Sequence, residues 1–140
     1  MRQRVIGLPQ ILVYRWRDAP ELPWRIPGGT VKAAESPKEA VLRELAEEVG
    51  EYSFAIIRQL GIQRYYKAFI ARDVERHDFL VIGDTGIPDA FLHVDPDITA
   101  GEPNVMELKW VTAEALHEID PEHAEAITET YIPELFEGKG

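Results

Sequence analysis

Glu35, Arg43, Glu44, Glu47 and Glu48 follow Gly29 at fixed intervals: Gly29, five residues, Glu35, seven residues, then Arg43-Glu44-Leu45-Ala46-Glu47-Glu48-Val49-Gly50. On a helix, Glu44, Glu47 and Glu48 are spaced i, i+3, i+4 and share a stripe. Carboxylates crowded in this way repel one another unless a cation joins them. A hard divalent ion relieves that repulsion, and magnesium suits the site because it takes a few carboxylates and completes its octahedron with phosphate oxygens and water. Arg43 stands next to Glu44 and four residues before Glu47, so its rigid guanidinium can hold a carboxylate in a chosen orientation. Runs of this composition also occur as surface ion pairs on solvated helices. Three carboxylates around a single arginine distinguish this one.

The helix that must carry these groups has readable ends. Ser36 is a good N-cap, Pro37 fits the first helical position, and Glu39 completes a capping box with Ser36. Gly50 supplies the stop. At about 100° per residue, Val41, Leu42, Leu45 and Val49 fall on one stripe and Glu44, Glu47 and Glu48 on the opposite side, which predicts one core face and one acidic face. Upstream, Leu22-Pro23-Trp24-Arg25-Ile26-Pro27-Gly28-Gly29 reads as a short strand and a glycine loop whose backbone can approach an ion or a phosphate closely.

Counted position by position, this register resembles the Nudix box of the MutT-like Nudix hydrolases, over Gly29 to Glu51, about a sixth of the chain. Every fixed position matches except the last, usually a bulky aliphatic and here Glu51. The resemblance implies a single Nudix domain over residues 1–140 with the box at 29–51. It also implies an α/β fold in which a mixed β-sheet lies between helices, an α/β/α sandwich. The implied activity is magnesium-dependent hydrolysis of a pyrophosphate bond in a nucleoside diphosphate linked to another moiety, with Mn²⁺ able to substitute. Glu47 and Glu48 are then the main metal ligands, Glu44 a ligand or the base that polarises water, Arg43 the residue that orients Glu44 or Glu47, and Glu35 a supporting contact. The Gly28 carbonyl is a further implied ligand. Glu102 and Glu107 lie where some relatives contribute another carboxylate; Glu102 ranks ahead because Glu107 sits on a regular strand. The alternative is a catalytically inactive Nudix domain that serves as a nucleotide sensor or interaction module, but no box acid is lost.

At 140 residues the chain suits one domain with a sizeable core. It has no cysteine, which excludes disulfides, zinc-thiolate sites and cysteine nucleophiles. Its 15 basic and 25 acidic residues give a formal charge of −10, which argues against duplex nucleic acid and anionic membranes as partners. A small nucleotide arriving with magnesium remains compatible. Without the apolar run of a signal peptide or a membrane span, the chain reads as cytoplasmic. Dimerisation is common in the family it resembles.

Strands are expected at Ile11 to Tyr14, Trp24 to Ile26, Ala55 to Ile57, Tyr65 to Ile70, Phe79 to Ile82 and Ala90 to Val94. Met106, Leu108 and Trp110 alternate with Glu107 and Lys109, a strand with one wet face. Thr112 is read as the cap of a short helix through Leu116. Asp120-Pro121 opens a final helix with Ala124, Ile127 and Tyr131 on a common side, and Glu137 to Gly140 reads as a frayed end. Arg25, three residues from the glycine loop, is the best phosphate partner among Arg15, Arg17 and Arg25. His77 and His93 read as packed or surface histidines, and Trp24, Tyr65 and Tyr66 as core aromatics before base-stacking ones.

Overall fold

The structure is a computed structural model that describes residues 1–2, 9–29, 31–68, 71–95 and 104–136. Glu102, the last residues of the strand expected through Ile70, and the 137–140 end lie outside the described residues. Strand β1 spans Ile11–Trp16, helix α1 Pro37–Glu48, β2 Phe54–Lys67, β3 Arg72–Gly83, β4 Ala90–Asp95, β5 Asn104–Val111 and α2 Pro121–Ala124.

The strands β1, β5 and β4 form an antiparallel sheet in that order, with Leu12 opposite Trp110 and Tyr14 opposite Leu108. Its two faces are both covered, and strand alternation decides which residue goes where. Leu12, Tyr14, Met106, Leu108 and Trp110 pack with Leu45 and Val49 of α1. Ile11, Val13 and Val111 turn the other way, onto Ile119, Ile127, Ile132 and Leu135 from the C-terminal segment. Helix, sheet and C-terminal segment therefore form the layers of the expected α/β/α arrangement. The segment before the glycine loop joins it through an antiparallel bridge from Tyr14 to Arg25 and a parallel one from Trp24 to Ile119, which gives the pairing its mixed character.

β2 and β3 pair as a long antiparallel hairpin with register shifts between Ile56 and Arg58 and between Gln59 and Gly61. The two short strands expected at Ala55 to Ile57 and from Tyr65 are thus parts of one, continuous through Arg58 and Gln59. Leu80 of β3 enters the core beneath the C-terminal segment, while Phe54 and Val81 pack on the α1 side.

The long final helix expected from Asp120 does not form. Asp120 caps as anticipated, its Oδ1 accepting from Glu122 N–H at 3.0 Å, yet α2 ends at Ala124. The Thr128 hydroxyl accepts from Tyr131 N–H at 3.3 Å, a local bond of the kind that competes with helix, and Pro133 follows with no N–H to donate. Ile127 is buried and Tyr131 is exposed, so they do not share a face. Residues Ala113–Glu118 form a 3₁₀ turn after Thr112, whose side chain makes no capping bond.

Candidate functional site

Helix α1 starts and stops where its caps dictate. Ser36 Oγ accepts from Glu39 N–H at 3.1 Å, and Glu39 Oε1 accepts from the Ser36 hydroxyl at 3.2 Å, so the glutamate of the capping box reaches the serine side chain. At the other end Gly50 adopts φ +126°, a conformation that favours glycine, and the Val49 and Gly50 N–H groups both reach the Leu45 carbonyl. His93 of β4 donates from Nε2 to the Glu47 carbonyl at 2.7 Å and so pins the last turn to the sheet.

The division into a core face and an acidic face is corrected by the packing. Leu42 is exposed, whereas Glu48 is 5% exposed and lies among Ala40, Leu45 and Val49 on the buried side. Counting from Val41, residue 48 falls almost two full turns on, and residue 44 lies about one turn before it, so both glutamates share the inward arc with Leu45. A buried carboxylate requires donors. Glu48 receives the Gly28 N–H at 3.3 Å and interacts with the phenol of Tyr14, which also bonds Arg25. Burial, and after it the negative charge of Glu48, pushes the Tyr14 phenol well above its ordinary pKa, so it remains a proton donor.

Glu44 is held from two sides. Arg43 Nη1 donates to its Oε1 at 2.8 Å, and the backbone of Gly29 approaches its carboxylate so closely that a Cβ at residue 29 would overlap it. No such crowding exists at Gly28, where a Cβ would meet nothing within 4 Å. Of the two glycines, residue 29 is the one that close approach demands.

Arg43 gathers the remaining acids. Its Nε and Nη2 grip Glu35 as a fork at 2.7 and 3.0 Å, while Nη1 reaches Glu44 and, at 3.3 and 3.4 Å, both oxygens of Glu47. Glu35 also accepts from Lys32 N–H at 2.9 Å. Hydrogen bonds from Arg43, and then from Lys32, hold the Glu35 carboxyl down at about 2, and the bonds that Arg43 makes to Glu35 and then Glu44 raise its own already high pKa. Sequence spacing connected Arg43 to Glu44 and Glu47; the fork onto Glu35 is an additional link.

Arg25 lines a cavity of about 700 Å³ between the glycine loop, α1 and the hairpin, with Gly28, Gly29 and Glu44 on its wall. Its volume is within the range of pockets that enclose small ligands. Glu107 is on the other side of the sheet. With Met106 and Leu108 turned toward α1, Glu107 points away, where it pairs with Arg15. Arg15 and Lys109 both lie over the Trp24 ring, at 4.3 and 4.4 Å from its centroid, so that ring is already covered. His77 bonds Gln59 and Glu75 on the hairpin.

Tyr14 is the site residue that sequence reasoning missed. Its parity with Leu12 placed it on a face of β1, but nothing in the spacing joins it to Glu48. Among the described residues, no three His, Asp or Glu side chains converge into a ready-made metal site. The acids are held by Arg43, Gly28 and Tyr14, yet the donor set fits a hard divalent ion: Glu44 and Glu48 both border the Gly28-Gly29 backbone and offer only oxygen.

The acidic helix thus leans on a glycine loop at the wall of the cavity. The NUDIX domain model matches residues 8–130, and the chain belongs to that family. It is 32% identical over 115 residues to a Mycobacterium tuberculosis (strain CDC 1551 / Oshkosh) protein named "Putative 8-oxo-dGTP diphosphatase 2", a match covering 79% of this chain and 70% of that protein. A Bacillus subtilis (strain 168) protein named "Putative 8-oxo-dGTP diphosphatase" is 42% identical over 53 residues, 38% of this chain and 34% of its own. The protein is a hydrolase acting on phosphoanhydride bonds. Members of the family act on small nucleotides and generally use divalent metal ions. No helix among the described residues is long and apolar enough to cross a membrane.

Proposed function

We propose that this chain, acting as a single domain in the cytoplasm, hydrolyses a purine nucleoside triphosphate to the monophosphate and pyrophosphate, with 8-oxo-dGTP as the leading candidate and Mg²⁺ as the cofactor. The observation that carries this reading is the placement of Glu44 and Glu48 against the Gly28-Gly29 backbone, with Gly28, Gly29 and Glu44 on the wall of the cavity. The diphosphatase names of the relatives support the substrate class.

In this reading Glu44, Glu47, Glu48 and the Gly28 carbonyl hold the ion. Bound there, Mg²⁺ would neutralise charge on the phosphates and so ease the approach of water. Arg43 is a positioning residue. Its fork onto Glu35 fixes the guanidinium plane, which in turn aims Glu44 and Glu47, so Glu35 supports the site through Arg43. Tyr14 and the Gly28 N–H keep the Glu48 carboxylate oriented. Arg25, on the wall of the same cavity, offers positive charge to the phosphate chain.

A panel of nucleoside triphosphates, ADP-ribose and dinucleoside polyphosphates at fixed Mg²⁺, with products separated by chromatography, tests the proposal. Monophosphate plus pyrophosphate from a purine triphosphate is the expected result. Turnover confined to another substrate class, or release of inorganic phosphate with a diphosphate, would overturn it.

A further inference from the structure

The cavity that begins at the glycine loop reaches a second group of polar side chains, where β3 faces the C-terminal segment. Arg76 and Asp78 are on the same face of β3 as the buried Leu80. Two nitrogens of Arg76 are committed, Nη1 donating to the Glu122 carbonyl and Nη2 to Gln63 Oε1, each at 2.7 Å, while its Nε forms an ion pair 2.9 Å from Asp78 Oδ1 without hydrogen-bond geometry. Asp78 Oδ2, like Arg76 Nε, is buried with no hydrogen-bond partner among the described residues. A buried carboxylate oxygen without a donor is rare enough to require an explanation.

The register supplies one. Residue 61 is the cross-strand partner of Asp78, and it is glycine. A Cβ there would meet nothing within 4 Å, so the space beside Asp78 on that face is open. His123 lines the same cavity, and its Nδ1 accepts from Ile26 N–H at 3.0 Å, which leaves the proton on Nε2. Burial, the largest cause, lowers the His123 pKa, and at Asp78 burial raises the pKa against the opposing charge of Arg76.

On the basis of the proposed function, we infer that Asp78 reads the base of the substrate by accepting hydrogen bonds from adjacent N–H donors, of the kind a guanine-type base presents at N1 and its 2-amino group. Gly61 leaves room for the base edge, and the His123 Nε2–H is a donor for the neighbouring base carbonyl. A base without the 2-amino group leaves Asp78 less well satisfied. The penalty is that of a missing charge-assisted hydrogen bond, roughly ten- to a hundredfold in binding.

The test compares kcat/KM for dGTP and dITP, and for their 8-oxo forms, in the wild type, Asp78→Asn and Gly61→Val. The wild type is expected to favour the guanine base by roughly tenfold or more, and Asp78→Asn to bring the pair within about threefold. Gly61→Val, which fills the open space on an extended strand, should raise KM for the guanine substrate about tenfold and leave kcat little changed. Equal use of the two bases by the wild type would overturn the inference and leave the proposed function standing. Undiminished discrimination in Asp78→Asn would also overturn it. Should Asp78→Asn fail to fold, Gly61→Val decides, with an unchanged KM counting against the inference. Hydrolysis of no nucleoside triphosphate removes the proposed function as well.

Discussion

Gly29→Ala separates stability from catalysis in this fold. A methyl carbon at residue 29 would lie 2.5 Å from Glu44 Oε2 and nearer still to the rest of that carboxylate, where ordinary contact begins at 3.4 Å. The carboxylate must retreat by about 1 Å, and Arg43 cannot follow freely because it is forked onto Glu35 at 2.7 and 3.0 Å. A displacement of that size at a reacting group costs about a hundredfold in rate, equivalent to about 2.7 kcal/mol of barrier. Residue 29 is exposed and not left-handed, so unfolding free energy should change by less than about 1 kcal/mol. The control is Gly28→Ala, where the added carbon meets nothing within 4 Å and turnover should stay within about threefold of the wild type. Steady-state kinetics on the preferred triphosphate, alongside thermal unfolding of each variant, provides both readouts. Full activity in Gly29→Ala, or an equal loss in Gly28→Ala, would refute the reasoning that Glu44 works from the position Gly29 allows it.

Glu48→Gln removes charge without volume and should lower kcat by about a thousandfold with the fold intact by circular dichroism; near-normal turnover contradicts its assignment. Arg43→Lys replaces a planar fork with a point charge that cannot grip Glu35 and Glu44 together, and should reduce kcat more than it alters KM. Tyr14→Phe takes one donor from Glu48 and should lower stability by about 1 kcal/mol in urea unfolding; no change would mean that the phenol does not support the carboxylate. The depressed pKa of Glu35 implies a contribution to stability that is fully present above the ordinary carboxyl pKa of roughly 4.3 and is lost as pH falls toward about 2. Carbon NMR of the Glu35 carboxyl should show a midpoint near 2, moving upward in Arg43→Lys, whereas a wild-type midpoint near 4 would show that the fork does not persist in solution.

Helix α1 was legible to the residue because Ser36, Pro37 and Gly50 act through local backbone chemistry. Its orientation was less so. Both Leu42 and Glu48 flank the Leu45 stripe on a helical wheel, and hydrophobicity alone chooses Leu42 for the core. The structure chooses Glu48, because Tyr14 and Gly28, distant in sequence, supply the donors that make burial of a carboxylate tolerable. Glu107 illustrates the same limit: alternation with Met106 and Leu108 gave its parity, but only the position of α1 says which face is the site. The β2-β3 hairpin was read in fragments because Arg58, Gln59 and Gly61 break its apolar pattern, and its bulges shift the register that alternation would follow. Thr128 ended the last helix through a side-chain bond that no periodicity reports.

Anomalous diffraction from crystals grown with Mn²⁺ and a non-hydrolysable triphosphate analogue tests the central claim most directly. The account predicts a metal peak bounded by the Glu44, Glu47 and Glu48 carboxylates and the Gly28 carbonyl, in contact with the phosphates. A bound analogue with no peak there, and those glutamates still turned onto Arg43 and Tyr14, would contradict it.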